Sequence, residues 1–170
     1  MEQLCLRLAT DLDEAFPDLV RWLQDDLFSG LRPLAGSEAE DLTQETFIRA
    51  YRALASYPSQ RILELRLRGW IWTIALNLGR NHVRDHARRP QLAVDGLDRA
   101  TSDPEPPDLE AWERRLGRLS VPIRRAVVLR HVVGLDYDEI AEALNRPEGT
   151  VKADVHRGLQ RLRLIMENEQ

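Results

Sequence analysis

The sequence predicts an all-α protein of two small helical domains joined by an acidic, proline-rich linker, the C-terminal domain being a helix-turn-helix. Apolar residues recur at helical spacing along most of the 170 residues, and strand-like alternation is nowhere sustained. Residues 91–108 break that pattern with three prolines and five acidic residues. Near the end, a short amphipathic segment, a turn and a longer amphipathic segment follow one another.

The first predicted domain, residues 1–90, contains two amphipathic stretches before residue 60. In the first, one helical face collects Phe16, Leu19, Val20 and Leu23. In the second, the apolar face consists of Phe47, Tyr51, Leu54 and Ala55. This second stretch, DLTQETFIRAYRAL at residues 41–54, has neither glycine nor proline, so we expect a helix. Its polar side carries mixed charge on one stripe: Asp41, Glu45, Arg49 and Arg52.

A third helix is predicted at roughly residues 68–88, in RGWIWTIALNLGRNHVRDHARRP, ending before Pro90. Its apolar stripe consists of Leu67, Ile71, Ile74 and Leu78. The opposite face carries Trp70, Thr73, Asn77, Asn81, Arg84 and Arg88, with Arg80 and Arg89 beside it. Aromatic, amide and arginine side chains together are typical of surfaces that stack unpaired bases. A solvated helix face with a half-buried tryptophan explains the pattern equally well.

Residues 91–108 are predicted to be a flexible acidic linker. Proline and like charges favour extended conformations, and eighteen residues reach up to about 60 Å at roughly 3.3 Å each. The two domains could therefore contact well-separated sites.

The second predicted domain, residues 109–170, begins with two amphipathic helices, the second capped by Ser120, started by Pro122 and stopped by Gly134. The helix-turn-helix follows in LDYDEIAEALNRPEGTVKADVHRGLQRLR. Its first helix, residues 136–144, is capped by Asp136 and shows helical spacing at Tyr137, Ile140, Ala141 and Leu144. Asn145 suits a left-handed turn, and Pro147 suits the first turn of the next helix.

The second helix of this motif should bury Val151, Val155, Leu159 and Leu162. It should expose Thr150, Lys152, Ala153, His156, Arg157, Gln160 and Arg161. Lys152, Arg157, Arg161 and Arg163 stand against a single acid, Asp154. A compact trihelical unit needs no such charge, so the excess of basic residues favours DNA contact over mere packing.

Composition excludes several classes of function. The net charge of −4 hides a strong asymmetry, with −6 in residues 1–60 and +5 in residues 61–90. No apolar run approaches the roughly 20 residues that cross a bilayer, and the first thirty residues are acidic, so we expect a cytoplasmic protein. A single cysteine, Cys5, excludes an intrachain disulfide and a cysteine-based zinc site. We find no catalytic motif and expect no catalytic residue, metal or cofactor; His82 and His86 lack a third ligand.

Taken in order, three segments resemble bacterial RNA polymerase sigma factors of the extracytoplasmic-function (ECF) type. DLTQETFIRAYRAL is similar to the helix by which that family binds core polymerase. RGWIWTIALNLGRNHVRDHARRP is similar to its promoter-melting segment, and LDYDEIAEALNRPEGTVKADVHRGLQRLR to its minus-35 helix-turn-helix. The resemblance covers roughly residues 10–165. It implies a non-enzymatic initiation factor, with domains at 1–90 and 109–170, that binds core polymerase and promoter DNA, both duplex and melted.

The resemblance also implies which residues act. The core-binding set is Asp41, Gln44, Glu45, Arg49 and Arg52. The minus-10 set is Trp70, Asn77, Arg80, Asn81, Arg84 and Arg88, and SYPSQRILELRLRG at residues 56–69 matches the loop that selects the flipped base. The minus-35 set is Thr150, Lys152, Ala153, His156, Arg157 and Arg161. An anti-sigma protein that masks these faces is implied as a further partner, and the acidic linker is expected to follow the RNA exit path.

Three residues depart from the family pattern. Ala153 and Asp154 stand where serine and arginine are common, so a groove-facing Asp154 would oppose DNA, and Asp154→Arg would tighten binding. Asn81 stands where aspartate is usual. Trp72 is an additional aromatic residue to which the resemblance assigns no role.

Two other functions fit the sequence less well. A self-contained transcriptional regulator would use residues 1–90 for dimerisation or ligand binding and the helix-turn-helix to bind duplex DNA alone. A protein-only adaptor would use the helix-turn-helix fold for packing.

Overall fold

The computed structural model describes residues 2–86 and 109–169, and within the first range it describes side chains through residue 79. The first range contains α1 (Glu2–Thr10), α2 (Leu12–Ala35), a 3₁₀ turn (Gly36–Glu38), α3 (Ala39–Ser56), α4 (Ser59–Leu63) and α5 (Leu67–His86). The second contains α6 (Leu109–Gly117), α7 (Val121–His131), α8 (Tyr137–Leu144) and α9 (Glu148–Glu167). These ranges hold helices and no strand, which confirms the all-α prediction.

The long helix α2 organises the N-terminal module, because α1, α3 and α5 all pack against it. Its buried face repeats every four residues: Ala15, Leu19, Leu23, Leu27 and Leu31. Burying each leucine contributes about 1.5–3 kcal/mol relative to leaving it exposed. Asp11 caps the helix, since its carboxylate accepts a hydrogen bond from the Glu14 N–H at 3.0 Å. Gly36 ends it at a φ of 62°, a conformation that glycine adopts without strain.

In the C-terminal module, α7 and α9 approach closely at Gly158. A Cβ at that position would lie 2.3 Å from a methyl group of Val127 and 2.9 Å from one of Ile123. Only glycine therefore permits this approach, which fixes α9 against α7 and leaves its other side exposed.

The two modules are in direct contact, and one apolar core runs through both. Trp72 of α5 is 0% exposed and packs beside Gly30 of α2, where a Cβ would lie 2.6 Å from the indole and from Val133. Ala143 and Leu144 of α8 belong to the same core. Trp72, unassigned from sequence, thus contributes apolar area to the contact between the modules. The linker length had suggested separated domains, but the apolar surfaces of α5 and α8 favour contact in the isolated chain.

Polar contacts border this apolar interface. Arg66, just before α5, lies 2.5 Å from the carboxylate of Asp138 in the first turn of α8. Arg68 of α5 contacts Asp26 at 3.2 Å and the Val133 carbonyl oxygen at 2.7 Å. Further along α2, Arg32 lies 3.2 Å from Glu113 of α6.

Several details differ from the sequence prediction. Tyr51 and Ala55, assigned to the apolar face of the second stretch, are exposed. Leu159, expected on the buried face of α9, is 43% exposed, because α6 and α7 leave an open groove beside it. Ser120 occupies the N-cap position of α7, but its side chain makes no capping hydrogen bond. Cys5 packs as a small apolar residue in the core, and burial raises the pKa of its thiol.

No helix within residues 2–86 and 109–169 combines the length and the apolar character that a membrane span requires.

Candidate nucleic-acid and polymerase interfaces

The core-binding set lies on the open side of α3. The opposite side of this helix is buried in the module through Leu42, Thr43, Thr46, Phe47, Ala50 and Leu54. Asp41, Gln44, Arg49 and Arg52 are exposed and Glu45 is half-buried, so the structure brings the predicted set together on one face. Arg49 Nε donates to Glu45 Oε1 at 2.7 Å. An exposed pair of this spacing stabilises a helix by only about 0.3–0.5 kcal/mol. Breaking it to form ion pairs with a partner protein therefore costs little.

Ile48 is a member of this surface that the sequence analysis missed. It is 46% exposed and lies one turn from both Gln44 and Arg52. Its position at four-residue spacing from those polar residues was a signal visible in the sequence. An exposed apolar side chain among charges is the arrangement found at the centre of many protein interfaces.

Trp70 of the minus-10 set lies in the first turn of α5, half-buried against Tyr57 with ring centroids 6.1 Å apart. Thr73 donates from its hydroxyl to the Gly69 carbonyl oxygen at 3.0 Å, so its polar group is used within the helix. Asn77 is exposed two turns after Trp70. Two members of the set therefore lie along one side of α5.

The remaining members of the minus-10 set fall outside the described side chains. Arg80, Asn81 and Arg84 lie within α5, where the backbone is described, and Arg88 lies beyond residue 86. Their roles stay predictions.

The predicted base-selecting loop, residues 56–69, folds partly as α4 and places Tyr57 next to Trp70, with Arg61 over the Tyr57 ring. The guanidinium of Arg61 lies 3.7 Å above the ring of Tyr57, whose other neighbour is Trp70. Ser59 anchors α4 to α1 by donating to the Ala9 carbonyl oxygen at 3.0 Å. Tyr57 and Arg61 were not singled out from the sequence, although an aromatic residue and an arginine next to a predicted base-stacking face were visible there.

The minus-35 set lies on the outer face of α9. Lys152, Ala153, His156, Arg157 and Arg161 are exposed, and Thr150 is half-buried. Lys152 Nζ lies 2.6 Å from Glu148 Oε1, and this hydrogen bond raises the pKa of the ammonium group. A lysine is already a cation at neutral pH, and the pairing with Glu148 favours that form further.

The turn before α9 has the predicted geometry. Asn145 adopts the left-handed conformation with φ 51° and ψ 53°, and the following N–H of Arg146 donates to the Ala141 carbonyl oxygen at 3.0 Å. The N–H of Asp136 donates to Glu139 at 2.9 Å, which closes the first turn of α8. The first bond and the left-handed Asn145 end α8 and set the direction in which the chain enters α9, whereas the second caps the start of α8.

Asp154 does not face the groove side of α9, and the prediction that it opposes DNA from that face is wrong. It is 2% exposed, and its carboxylate accepts hydrogen bonds from Arg146 and Arg157. The reason is helical geometry: position 154 lies three residues from Val151 and four from Gly158, both on the buried side. Arg146 of the turn supplies the charge that a buried carboxylate requires.

An apolar groove of about 880 Å³ lies where α2 of the first module meets α6, α7 and α9 of the second. Phe28 lines it from α2, Trp112 and Leu116 from α6, and Leu159 and Met166 from α9. Because residues of both modules form its walls, the groove depends on their contact.

Comparison with known proteins identifies two regions of one family in this chain. The model for sigma-70 region 2 matches residues 19–89, and that for sigma-70 region 4 matches residues 109–162. The ECF RNA polymerase sigma factor SigW of Bacillus subtilis is 31% identical over 170 residues, covering 88% of each chain. The RNA polymerase sigma-H factor of Pseudomonas aeruginosa is 31% identical over 136 residues, 71% of this chain and 68% of its own.

The ECF sigma factor SigE of Mycolicibacterium smegmatis is 34% identical over 160 residues, and the match spans 88% of this chain but 60% of that protein. Two solved structures share the fold at 22% identity. CnrH in complex with the cytosolic domain of CnrY aligns at a TM-score of 0.76 over 99% of this chain and 98% of its own. The sigma factor RpoE of Bartonella quintana, in complex with the anti-sigma factor NepR, aligns at 0.74 over 91% and 98%.

Two sigma-70 regions in order, and a relative matched over nearly its whole length, lead to one conclusion: the chain belongs to the ECF sigma factors of RNA polymerase, regulatory subunits that bind the core enzyme and direct promoter-specific transcription initiation.

Proposed function

We propose that this sigma factor divides its work among three surfaces on two modules. Residues 1–90 act as the region 2 domain, which binds core polymerase and recognises and melts the minus-10 element. Residues 91–108 act as the linker, and residues 109–170 as the region 4 domain, which reads the minus-35 element. The observation that carries the proposal is the exposure of Lys152, Arg157 and Arg161 on α9 of a helix-turn-helix whose other face is buried.

The core-binding set acts through both charge and apolar contact. Asp41, Glu45 and Arg49 give orientation and a fast encounter, since mixed charges contribute more to those than to affinity. Ile48 supplies the apolar anchor at the centre of the face. In this proposal the polar face of α3 is an interface with the polymerase.

The minus-10 element is held where α4 meets α5. Trp70 and Tyr57 offer aromatic surface to an unstacked base, and Arg61 over the Tyr57 ring brings positive charge to the adjacent phosphate. Stacking of this kind contributes about 1–3 kcal/mol per base. Asn77 and the residues predicted farther along α5 follow the strand.

The chain must open to use both DNA surfaces at once. Elements named for positions −35 and −10 lie about 25 base pairs apart, roughly 85 Å of B-DNA at about 3.4 Å per pair. A compact body of this size is only about 40 Å across. The 22 residues between α5 and α6 can extend up to about 70 Å, so separated modules reach both elements.

An anti-sigma protein would act by preventing that opening. The Bartonella RpoE was solved in complex with the anti-sigma factor NepR, and CnrH in complex with the cytosolic domain of CnrY. The apolar groove between α2, α6 and α9 would accept an amphipathic helix of the partner. Because the groove needs both modules, a ligand bound there stabilises the closed arrangement.

In this proposal the protein acts in the cytoplasm, where the polymerase and the chromosome are. It contributes no catalytic residue of its own. A self-contained regulator is not favoured, because region 2 is present in addition to the helix-turn-helix.

The test assigns one step of initiation to each surface. Arg49→Ala with Arg52→Ala should abolish retention of the chain by sigma-free core polymerase. Trp70→Ala should bind core and duplex promoter but open the DNA poorly by permanganate footprinting. Lys152→Ala with Arg161→Ala should bind core normally and lose promoter binding. Promoter selection by that last variant equal to wild type would refute the assignment of α9.

A further inference from the structure

Asp154 lies on the inner side of α9, and arginines from two parts of the helix-turn-helix occupy both of its oxygens. Oδ2 accepts from Nη1 of Arg146 in the turn, and Oδ1 accepts from Nη2 of Arg157, one turn further along α9. The side chain of Asp154 is 3% exposed, against 32% for Arg146 and 57% for Arg157. The carboxylate is enclosed, whereas both of its partners reach the surface.

Packing does not require a charged residue at this position. The other inward positions of α9 nearby are Val151, Val155 and Gly158, all buried and uncharged. A buried ion pair is often no more stabilising than apolar residues of the same volume. The carboxylate is therefore better explained by what it does to its two arginines.

Asp154 restrains the arginines while leaving most of their donors available. A guanidinium carries five N–H donors in a rigid fork, and Asp154 bonds a single terminal nitrogen of each arginine. An arginine fork reads guanine or grips a phosphate with two parallel hydrogen bonds, which requires a defined orientation. An arginine held beforehand loses less rotational freedom when DNA arrives.

The charge of Asp154 has a second effect. The cluster carries +1 with Asp154 and +2 without it, and two guanidiniums that share one carboxylate would repel each other once it is removed. A negative charge near the DNA also lowers affinity for any duplex, whatever its sequence. Asp154 therefore favours discrimination between sequences at the expense of general affinity.

We propose that Asp154 is a positioning residue for minus-35 recognition, which fixes Arg157 in its reading orientation, and that Arg146 is a further DNA contact of the helix-turn-helix. This proposal rests on the assignment of the α9 face to the minus-35 element. It reverses the sign expected of a groove-facing acid, because removing the charge impairs promoter choice.

The experiment compares two affinities of the reconstituted holoenzyme. Wild-type and Asp154→Asn chains, each assembled with core polymerase, are titrated with a mapped promoter duplex and with the same duplex carrying a scrambled minus-35 element. Asp154→Asn should lower the affinity ratio, promoter duplex over scrambled duplex, about tenfold. It should raise the affinity for the scrambled duplex two- to threefold. A plot of the logarithm of affinity against the logarithm of salt concentration should also become steeper, by up to about one unit of slope. A ratio within twofold of wild type overturns the proposal.

A purely structural role gives a different result. Both affinities would then fall together, in step with a lower thermal midpoint of the free chain, and this outcome also overturns the proposal. A double-mutant cycle gives a result that a loss of folding would not produce. Arg157→Ala should reduce the affinity ratio much less in the Asp154→Asn background than in wild type.

Two further variants keep the test decisive. If Asp154→Asn does not fold, Arg146→Met, in the partly exposed turn, should lower the ratio about threefold, and an unchanged ratio overturns the proposal. Arg161→Ala, outside the cluster, should weaken promoter binding about fivefold. If Arg161→Ala binds the promoter as wild type does, the assignment of α9 to the minus-35 element fails. If Arg161→Ala weakens binding but Asp154→Asn leaves the affinity ratio unchanged, only the positioning role of Asp154 fails.

Discussion

Arg68 of α5 donates a hydrogen bond from Nη2 to the backbone carbonyl oxygen of Val133, 2.7 Å away in the C-terminal module. The same nitrogen lies 3.2 Å from Asp26 of α2, so one side chain joins two helices of the first module to the loop before α8. Hydrogen bonds from charged groups contribute about 1.5–3 kcal/mol. The bond thus favours the closed arrangement, which promoter binding disrupts in the function proposed above.

Replacing Arg68 by methionine should open the isolated chain. The substitution keeps the apolar stem and removes the bond to Val133, so the equilibrium should shift towards separated modules by about tenfold, as expected for a loss of ~1.5 kcal/mol. Small-angle scattering should show a larger radius of gyration. Arg21→Met is the matched control, since Arg21 pairs with Asp18 within α2, and it should leave the radius unchanged.

Acid should weaken the contact between the modules through Asp138. The hydrogen bond from Arg66 holds the pKa of this carboxyl below its usual range. The contribution of Asp138 to closure is therefore fully present above the ordinary aspartate pKa, about 3.9, and is lost as pH falls through the lowered value. Module separation measured by fluorescence transfer should rise only in that acid range.

Asp138→Asn should remove this part of the pH dependence and leave a more open chain at neutral pH. Asp18→Asn serves as control, because hydrogen bonds from Arg7 and Arg21 lower the pKa of Asp18 entirely within the first module. It should change acid unfolding of that module without changing the distance between modules. An identical pH profile in Asp138→Asn and wild type would contradict the assignment.

Ile48→Ser should weaken binding to core polymerase about tenfold without affecting the fold. Its side chain is exposed at the centre of the core-binding face, and truncating an interface anchor commonly costs more than 1 kcal/mol. Leu6→Ser, at a leucine on α1 that is more exposed than Ile48, should bind core as wild type does. Titration of labelled core polymerase measures both, and equal affinities for the two variants would remove Ile48 from the interface.

Gly158→Ala should destabilise the C-terminal module by about 1–3 kcal/mol, because the new methyl group has no room against Val127. Gly149→Ala, where nothing lies within 4 Å of the new Cβ, should instead stabilise α9 by about 0.5–1 kcal/mol. Thermal unfolding of the two variants measures the difference. A midpoint for Gly158→Ala as high as that of Gly149→Ala would contradict the close α7–α9 approach.

The helices and the turn of the helix-turn-helix were predictable because their determinants are local. The spacing of Leu19 and Leu23, the left-handed Asn145 and the charged face of α9 each depend on residues within a few turns. The exposure of the core-binding face followed from the same periodicity.

The contact between the modules was not predictable in this way. Trp72 fits against Gly30 and Val133, which are far apart in the sequence, and no local pattern reveals that match. The orientation of Asp154 was within reach, because its spacing from Val151 and Gly158 places it on the buried side. The prediction followed the basic charge of α9 and not this spacing. The partner of Asp154, Arg146, lies eight residues away in the preceding turn, so the pairing is not visible in the pattern of α9.

The most direct test of the central claim is transcription in vitro. The purified chain is added to sigma-free bacterial core polymerase with random genomic fragments as template, and the 5′ ends of new transcripts are mapped. The account predicts discrete start sites that share two upstream elements, lost with Lys152→Ala and Arg161→Ala combined. Absence of initiation with cognate core, together with tight binding of the chain alone to a duplex site, would contradict it.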